Sequence, residues 1–197
     1  MTARNMLKQY RWIWPCAFAL GISACTPKRP SGQADTSAEK PVFFDLKAYF
    51  TEETKRLETE KPSGLKIARF QEHSDTLLFE AGSGLDFEEE LQPFISSDIN
   101  RPAWQNKYQV DTLPSKTFGG VLVRYVALDK NLKTRTIEFH IENGEIRQVQ
   151  IENQIKSVIA HSVQKLRYEK GQGYSAFGTQ RMRFGRSYDF EVSVRFR

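Results

Sequence analysis

Six successive segments in the second half of the chain, at 121–128, 133–142, 145–153, 157–169, 173–184 and 188–196, carry strand-type residues between tight turns. The last of them alternates cleanly. Tyr188, Phe190, Val192, Val194 and Phe196 fall on one side, and Asp189, Glu191, Ser193, Arg195 and Arg197 on the other. A period of two belongs to a strand with one covered face and one wet face, and such strands joined by short turns form an antiparallel meander. Asn143-Gly144 is the strongest hairpin signal, because both residues accept the positive φ of a two-residue turn. It is preceded by Ile137, Phe139 and Ile141 and followed by Val149 and Ile151. Gly171-Gln172-Gly173 and Gly185-Arg186-Ser187 mark further turns.

The first half reads differently. Phe43, Phe44, Leu46, Tyr49, Phe50 and Leu57 recur at helical spacing, with Asp45 as N-cap and 61–64 as the stop. Two short strands follow at 65–72 and 76–81, around a turn at His73-Ser74-Asp75. A second helix is expected over 86–97. Asp86 with Glu89 makes a capping box, Phe87, Leu91, Phe94 and Ile95 form the stripe, and Asn100-Arg101-Pro102 ends it. The expected fold is α+β, one domain over 42–197. It is a curved antiparallel sheet, a meander of about six strands, with two N-terminal helices packed on one face. A membrane barrel fits poorly, since several strands are too short and two amphipathic helices would have no role.

Residues 1–11 carry Arg4, Lys8 and Arg11 and no acid, and the apolar run from Trp12 to Ile22 follows. That run is too short to span a bilayer but suits the h-region of a secretory signal. It ends in Ile22-Ser23-Ala24-Cys25, an aliphatic residue, two small residues and a cysteine. This segment closely resembles the lipobox of bacterial lipoproteins. The resemblance implies a signal peptide at 1–24, cleavage before Cys25, a diacylglycerol thioether on its sulfur and acylation of the new amino terminus. Two or more acyl chains make attachment effectively permanent. Cys16 leaves with the signal and Cys25 is consumed by lipid, so no thiol remains for a disulfide or a Cys-ligated metal. Residues 25–41 read as the lipidated cysteine and a flexible tether. Thr26 is not the aspartate associated with inner-membrane retention. Lys28 and Arg29 stand where a surface-export signal of Bacteroidota would be acidic. Both features point to the periplasmic face of the outer membrane. The stop Asp98-Ile99-Asn100-Arg101-Pro102-Ala103-Trp104 and the meander after it also resemble small lipoproteins of Bacteroidota, which brings no assigned chemistry.

No catalytic constellation emerges. His73-Ser74-Asp75 holds triad residue types, but consecutive positions in a turn do not line up nucleophile, base and orienter. His140 and His161 fall in strands without a third ligand for zinc, and each reads as a structural or surface histidine. Asp86 with Glu88, Glu89 and Glu90 is what a helix N-terminus attracts. Gly82-Ser83-Gly84 reads as a turn, and Trp104, Tyr108 and Phe118 as residues closing the core where helix meets sheet. No cofactor and no metal are expected.

Charge is the informative feature. Residues 25–100 hold 9 Lys+Arg and 15 Asp+Glu, whereas residues 101–197 hold 17 and 9. Alternation sets Arg167, Arg181, Arg183, Arg195 and Arg197 opposite the apolar series of their strands, a basic face suited to an anionic partner. The expected function is a membrane-anchored, periplasm-facing, non-enzymatic binding or accessory subunit of an envelope assembly. Its partners are the bilayer through the lipid anchor, and an envelope protein or an anionic glycan or lipid, with no nucleic acid. A lipid or lipoprotein carrier with an apolar groove is the alternative, and an envelope hydrolase with scattered carboxylates the third.

Overall fold

Asp45 starts the first helix as the sequence predicts. Its Oδ1 accepts from the Ala48 amide at 2.8 Å, and α1 runs over Leu46–Glu60. The structure, a computed structural model, describes residues 43–82, 85–115 and 119–197. The expected signal peptide and tether, Cys25, Ser83, Gly84 and Phe118 lie outside the described residues. Phe43 and Phe44 precede α1 rather than joining it. The Phe43 ring packs 5.8 and 5.7 Å from Tyr108 and Tyr125, and that of Phe44 lies 4.5 Å from Phe139. Lys61, at φ 45°, turns the chain out of the helix.

The next two elements, β1 (Gly64–Phe70) and β2 (His73–Phe79), form a hairpin whose turn is Gln71-Glu72. This corrects the turn expected at His73-Ser74-Asp75, which instead pair with Phe70, Arg69 and Ala68. The two-residue turn needs positive φ, and Gln71 adopts it at 54° although its side chain gives no such hint. Helix α2 (Phe87–Ile95) is shorter than expected. Asp86 Oδ1 caps the Glu89 amide at 3.1 Å, and Glu58 of α1 accepts from the Phe87 amide at 2.9 Å. One helix thus satisfies an orphan donor of the other.

After a single 3₁₀ turn at Pro102–Trp104 come β3 (Tyr108–Pro114), β4 (Val121–Ala127), β5 (Thr134–Glu142), β6 (Glu145–Lys156), β7 (Ala160–Glu169), β8 (Gly173–Met182) and β9 (Tyr188–Phe196). All pair antiparallel in one sheet of nine, in the order β2-β1-β9-β8-β7-β6-β5-β4-β3. The meander of about six strands is thus an undercount. The upstream hairpin joins the same sheet through β1 and β9, and β3 has no counterpart in the sequence reading. Residues 108–114 carry Gln109, Asp111 and Pro114 and lie at an edge, where little burial imposes a pattern.

Directly paired residues share a face. The inner face carries Tyr125, Ile137, Phe139, Val149, Ile151, Leu166, Tyr168, Tyr174 and Val194. These join Leu46, Phe50 and Leu57 of α1 and Phe87, Leu91 and Phe94 of α2 in one buried cluster. Buried polar ties run through it. The Asn153 amide donates to Ser97 Oγ at 2.8 Å, and Thr134 Oγ1 donates to the Ser97 carbonyl at 3.1 Å. Asn100 holds the entry to α1, accepting from the Phe43 amide and donating to the Phe44 carbonyl.

Candidate functional site

The outer face is polar, and its rows follow from the register. One runs Arg124, Glu138, Gln150, Arg167, Ser175, Ser193; the next places Glu169, Gly173 and Arg195 side by side. Arg167 and Arg195 line a depression of about 620 Å³ with Glu169, Ser175, Ser193 and the Gly171–Gly173 turn. A second depression, of about 440 Å³, shares Arg167 and Ser175 and continues towards Lys165 and Phe177. Gly173 is the tight point. At φ 141° an added Cβ would stand 2.0 Å from the Val194 carbonyl oxygen, so the two strands approach here as only glycine permits.

The structure separates the expected arginines. Arg181 is on the outer face of β8, opposite His161, but six residues beyond Ser175, about 20 Å along the strand. Arg183 lies past the end of β8, its guanidinium 5.6 Å from the Phe184 ring, and Arg197 lies past the end of β9. Alternation therefore does not set all five on one face: two of the segments end before their arginines. The face is also not uniformly basic. Arg124 pairs with Glu138 at 2.6 Å, Arg69 with Glu191 at 3.0 Å, and Arg167 with Glu169. Arg195 has no carboxylate within 4.0 Å among the described residues.

His140 and His161 do not meet. His140 sits beside Gln148, in the row that leads to Glu169, whereas His161 is at the far end of β7 and lies 2.7 Å from the Gln154 side-chain nitrogen. His140 Nδ1 instead lies 3.1 Å from Ser115 Oγ, and both side chains are buried. Burial lowers the His140 pKa below its ordinary value. Glu138 opposes the shift, and Arg167 and Arg124 add to it. Sequence reasoning missed this pair because 25 positions and strand β4 separate its members. Tyr108 is buried and Trp104 packs against it at 6.4 Å, closing the core at the start of β3.

Two further clusters tie the helices to the inner face. The Tyr168 hydroxyl donates to Glu53, which Arg56 also meets at 2.9 Å. The Tyr174 hydroxyl donates to Glu90 at 2.8 Å, and Lys66 pairs with the same carboxylate. Tyr168 and Tyr174 oppose one another across β7 and β8. Burial first, then the neighbouring carboxylates, push both phenols well above the usual tyrosine range, so they stay protonated as donors. A signal for one cluster exists in the sequence: Leu46, Phe50, Glu53 and Leu57 are spaced as one helix face, with an acid standing among the apolar residues.

These features define a class: an α+β chain with a nine-stranded antiparallel sheet, helix-covered on its inner face and polar on its outer one. No protein-family model, curated protein or solved structure matches the chain.

Proposed function

We propose that the protein is a bacterial lipoprotein anchored through Cys25 at the periplasmic face of the outer membrane, where it acts as a non-enzymatic binding or accessory subunit of an envelope assembly. An anionic group of its partner docks between Arg167 and Arg195 on the outer face of what is read as a curved sheet. One observation carries the docking site: Arg195, without a carboxylate within 4.0 Å among the described residues, lines the same depression as Arg167 and the hydroxyls of Ser175 and Ser193. The uncompensated Arg195 with two hydroxyl donors, beside an Arg167 that Glu169 already pairs, suits a phosphate or carboxylate. The packing favours this reading over a carrier, because Phe50, Leu91, Phe94 and Tyr168 fill the space between helices and inner face, each 1% exposed or less.

Two measurements test the proposal. Palmitate labelling and membrane fractionation should both be lost in Cys25→Ser; a variant that still sediments with membranes after a salt wash overturns the anchor. Retention of the protein on lipopolysaccharide or an acidic glycan should fall with added salt, and Arg167→Gln/Arg195→Gln should weaken it at least fivefold with the melting temperature preserved. Unchanged retention would return this face to an ordinary solvated surface.

A further inference from the structure

Ile155, Val158, Ile159 and Phe184 are 52%, 81%, 59% and 78% exposed, and all four stand at one end of the sheet. Ile155 is at the end of β6, and the other three belong to the β6–β7 and β8–β9 turns, which are joined: the Arg183 amide donates to the Ile159 carbonyl at 2.8 Å. The first turn is held by Ser157, whose Oγ accepts from the Ala160 amide at 3.0 Å and whose own amide donates to the Ala160 carbonyl at 2.8 Å. Its two apex residues are thus β-branched and apolar, where polar residues and glycine are usual. Such an apex gains nothing from the core of its own domain.

The charges within the two joined turns have one sign, while two exposed carboxylates, Asp189 and Glu72, stand beyond them at the start of β9 and in the adjoining β1–β2 turn. Lys156, Arg181, Arg183 and Arg186 flank the tips, all exposed, and neither 153–168 nor 170–188 contains an acid. The described chain enters the fold at the same end. Phe43 packs on Tyr108, the first residue of β3, and that end of β3 lies alongside the ends of β4, β6 and β8. Phe43, the first described residue, therefore stands at the end of the sheet that bears the apolar tips.

We infer that the joined turns 157–159 and 183–187 are a second membrane contact, in which Val158, Ile159 and Phe184 enter the interface of an anionic phospholipid bilayer while Lys156, Arg181, Arg183 and Arg186 meet its headgroups. Apolar tips flanked by four cations match the two terms of interfacial binding, apolar burial and attraction to anionic lipid. The contact would present the domain to the membrane end-on, leaving the Arg167–Arg195 depression, which borders the opposite turn at Gly171–Gly173, facing away from the bilayer. The inference rests on the anchored reading for the nearness of a bilayer, but its test needs no acyl chain.

The experiment uses the full chain carrying Cys25→Ser, with phosphatidylglycerol-containing or pure phosphatidylcholine vesicles. Hydrogen exchange is read peptide by peptide. Exchange in 155–161 and 182–188 should slow with the anionic vesicles only, and segments 164–169 and 173–178 should be unaffected. Each cation near an anionic surface contributes about fivefold to binding, so Arg181→Gln/Arg183→Gln/Arg186→Gln should weaken the local protection at least tenfold in lipid concentration. Val158→Asp/Phe184→Asp, and the milder Val158→Ser/Phe184→Ser, should remove it without lowering the melting temperature, and Arg167→Gln/Arg195→Gln should leave it unchanged. Protection that is absent, equal with both vesicles, or indifferent to the tip substitutions overturns the inference. So does a protein-concentration-dependent dimer that the same tip substitutions dissolve, since the tips would then face a second copy. Failure of lipidation itself is read separately, by palmitate labelling of the Cys25 chain.

Discussion

Glu53 shows what a single residue does in this fold. It is a charged side chain on the buried stripe of α1, and burial is tolerable because Arg56 and the Tyr168 hydroxyl both engage it. Removing one partner of a buried charged group exposes the full cost of its desolvation. Tyr168→Phe should therefore lower stability by about 1–3 kcal/mol in urea unfolding. His140 supplies a pH dependence. Its folded pKa lies below the 6.5 of an ordinary imidazole, chiefly through burial, so the unfolded chain takes up the proton first. Its contribution is complete above about 6.5 and is lost as the pH falls towards the folded value. The urea midpoint should drop over that window, and His140→Asn should flatten the drop.

At the scale of elements, short-range signals were the legible ones. Asp45 and Asp86 cap their helices, and Asn143-Gly144 makes its hairpin, at φ 52° and 81°. Asp86→Ala should cost about 1 kcal/mol, because it frees the Glu89 amide. Two glycine substitutions separate local from tertiary effects. Gly144→Ala meets nothing within 4 Å and carries only the left-handed backbone penalty, about 1–2 kcal/mol. Gly173→Ala carries strain and also drives a methyl group against the Val194 carbonyl, so β8 and β9 must part. Thermal melts should rank Gly173→Ala as the more damaging of the two. The turn Gln71-Glu72 was not legible, because the left-handed residue is a glutamine. Nor was β3 read, since the alternation of Tyr108, Val110 and Thr112 with Gln109 and Asp111 is short and ends in Pro114 at an exposed edge.

At the scale of the whole sheet, the last strand joins the upstream hairpin to the meander. Residue Gly64 pairs with Phe196, and the β1–β2 hairpin reaches the sheet through β9. Deleting 188–197 would strand that hairpin and uncover Tyr174 and Lys66, beside which Val194 is paired. The truncated chain should lose its cooperative melt, followed by circular dichroism; retention of that melt would show that the hairpin holds to the helices alone. Loop closure over more than a hundred residues also makes this pairing one of the costliest steps of folding.

Period-two alternation, helix stripes, caps and glycine turns are local, and they determined the class of fold: an α+β chain built on an antiparallel sheet with two helices before the long meander. They also grouped five arginines on one face, which the structure does not keep together. Register decided which belong together. Arg167 and Arg195 fall in adjoining rows beside one depression, whereas Arg181 and Arg183 stand about 20 Å away with the apolar turns. The pairing of Ser115 with His140, of Tyr168 with Glu53 and of β1 with β9 likewise joins residues far apart in the chain. Local propensity carries no information about such contacts, because their energy exists only once distant segments share a core.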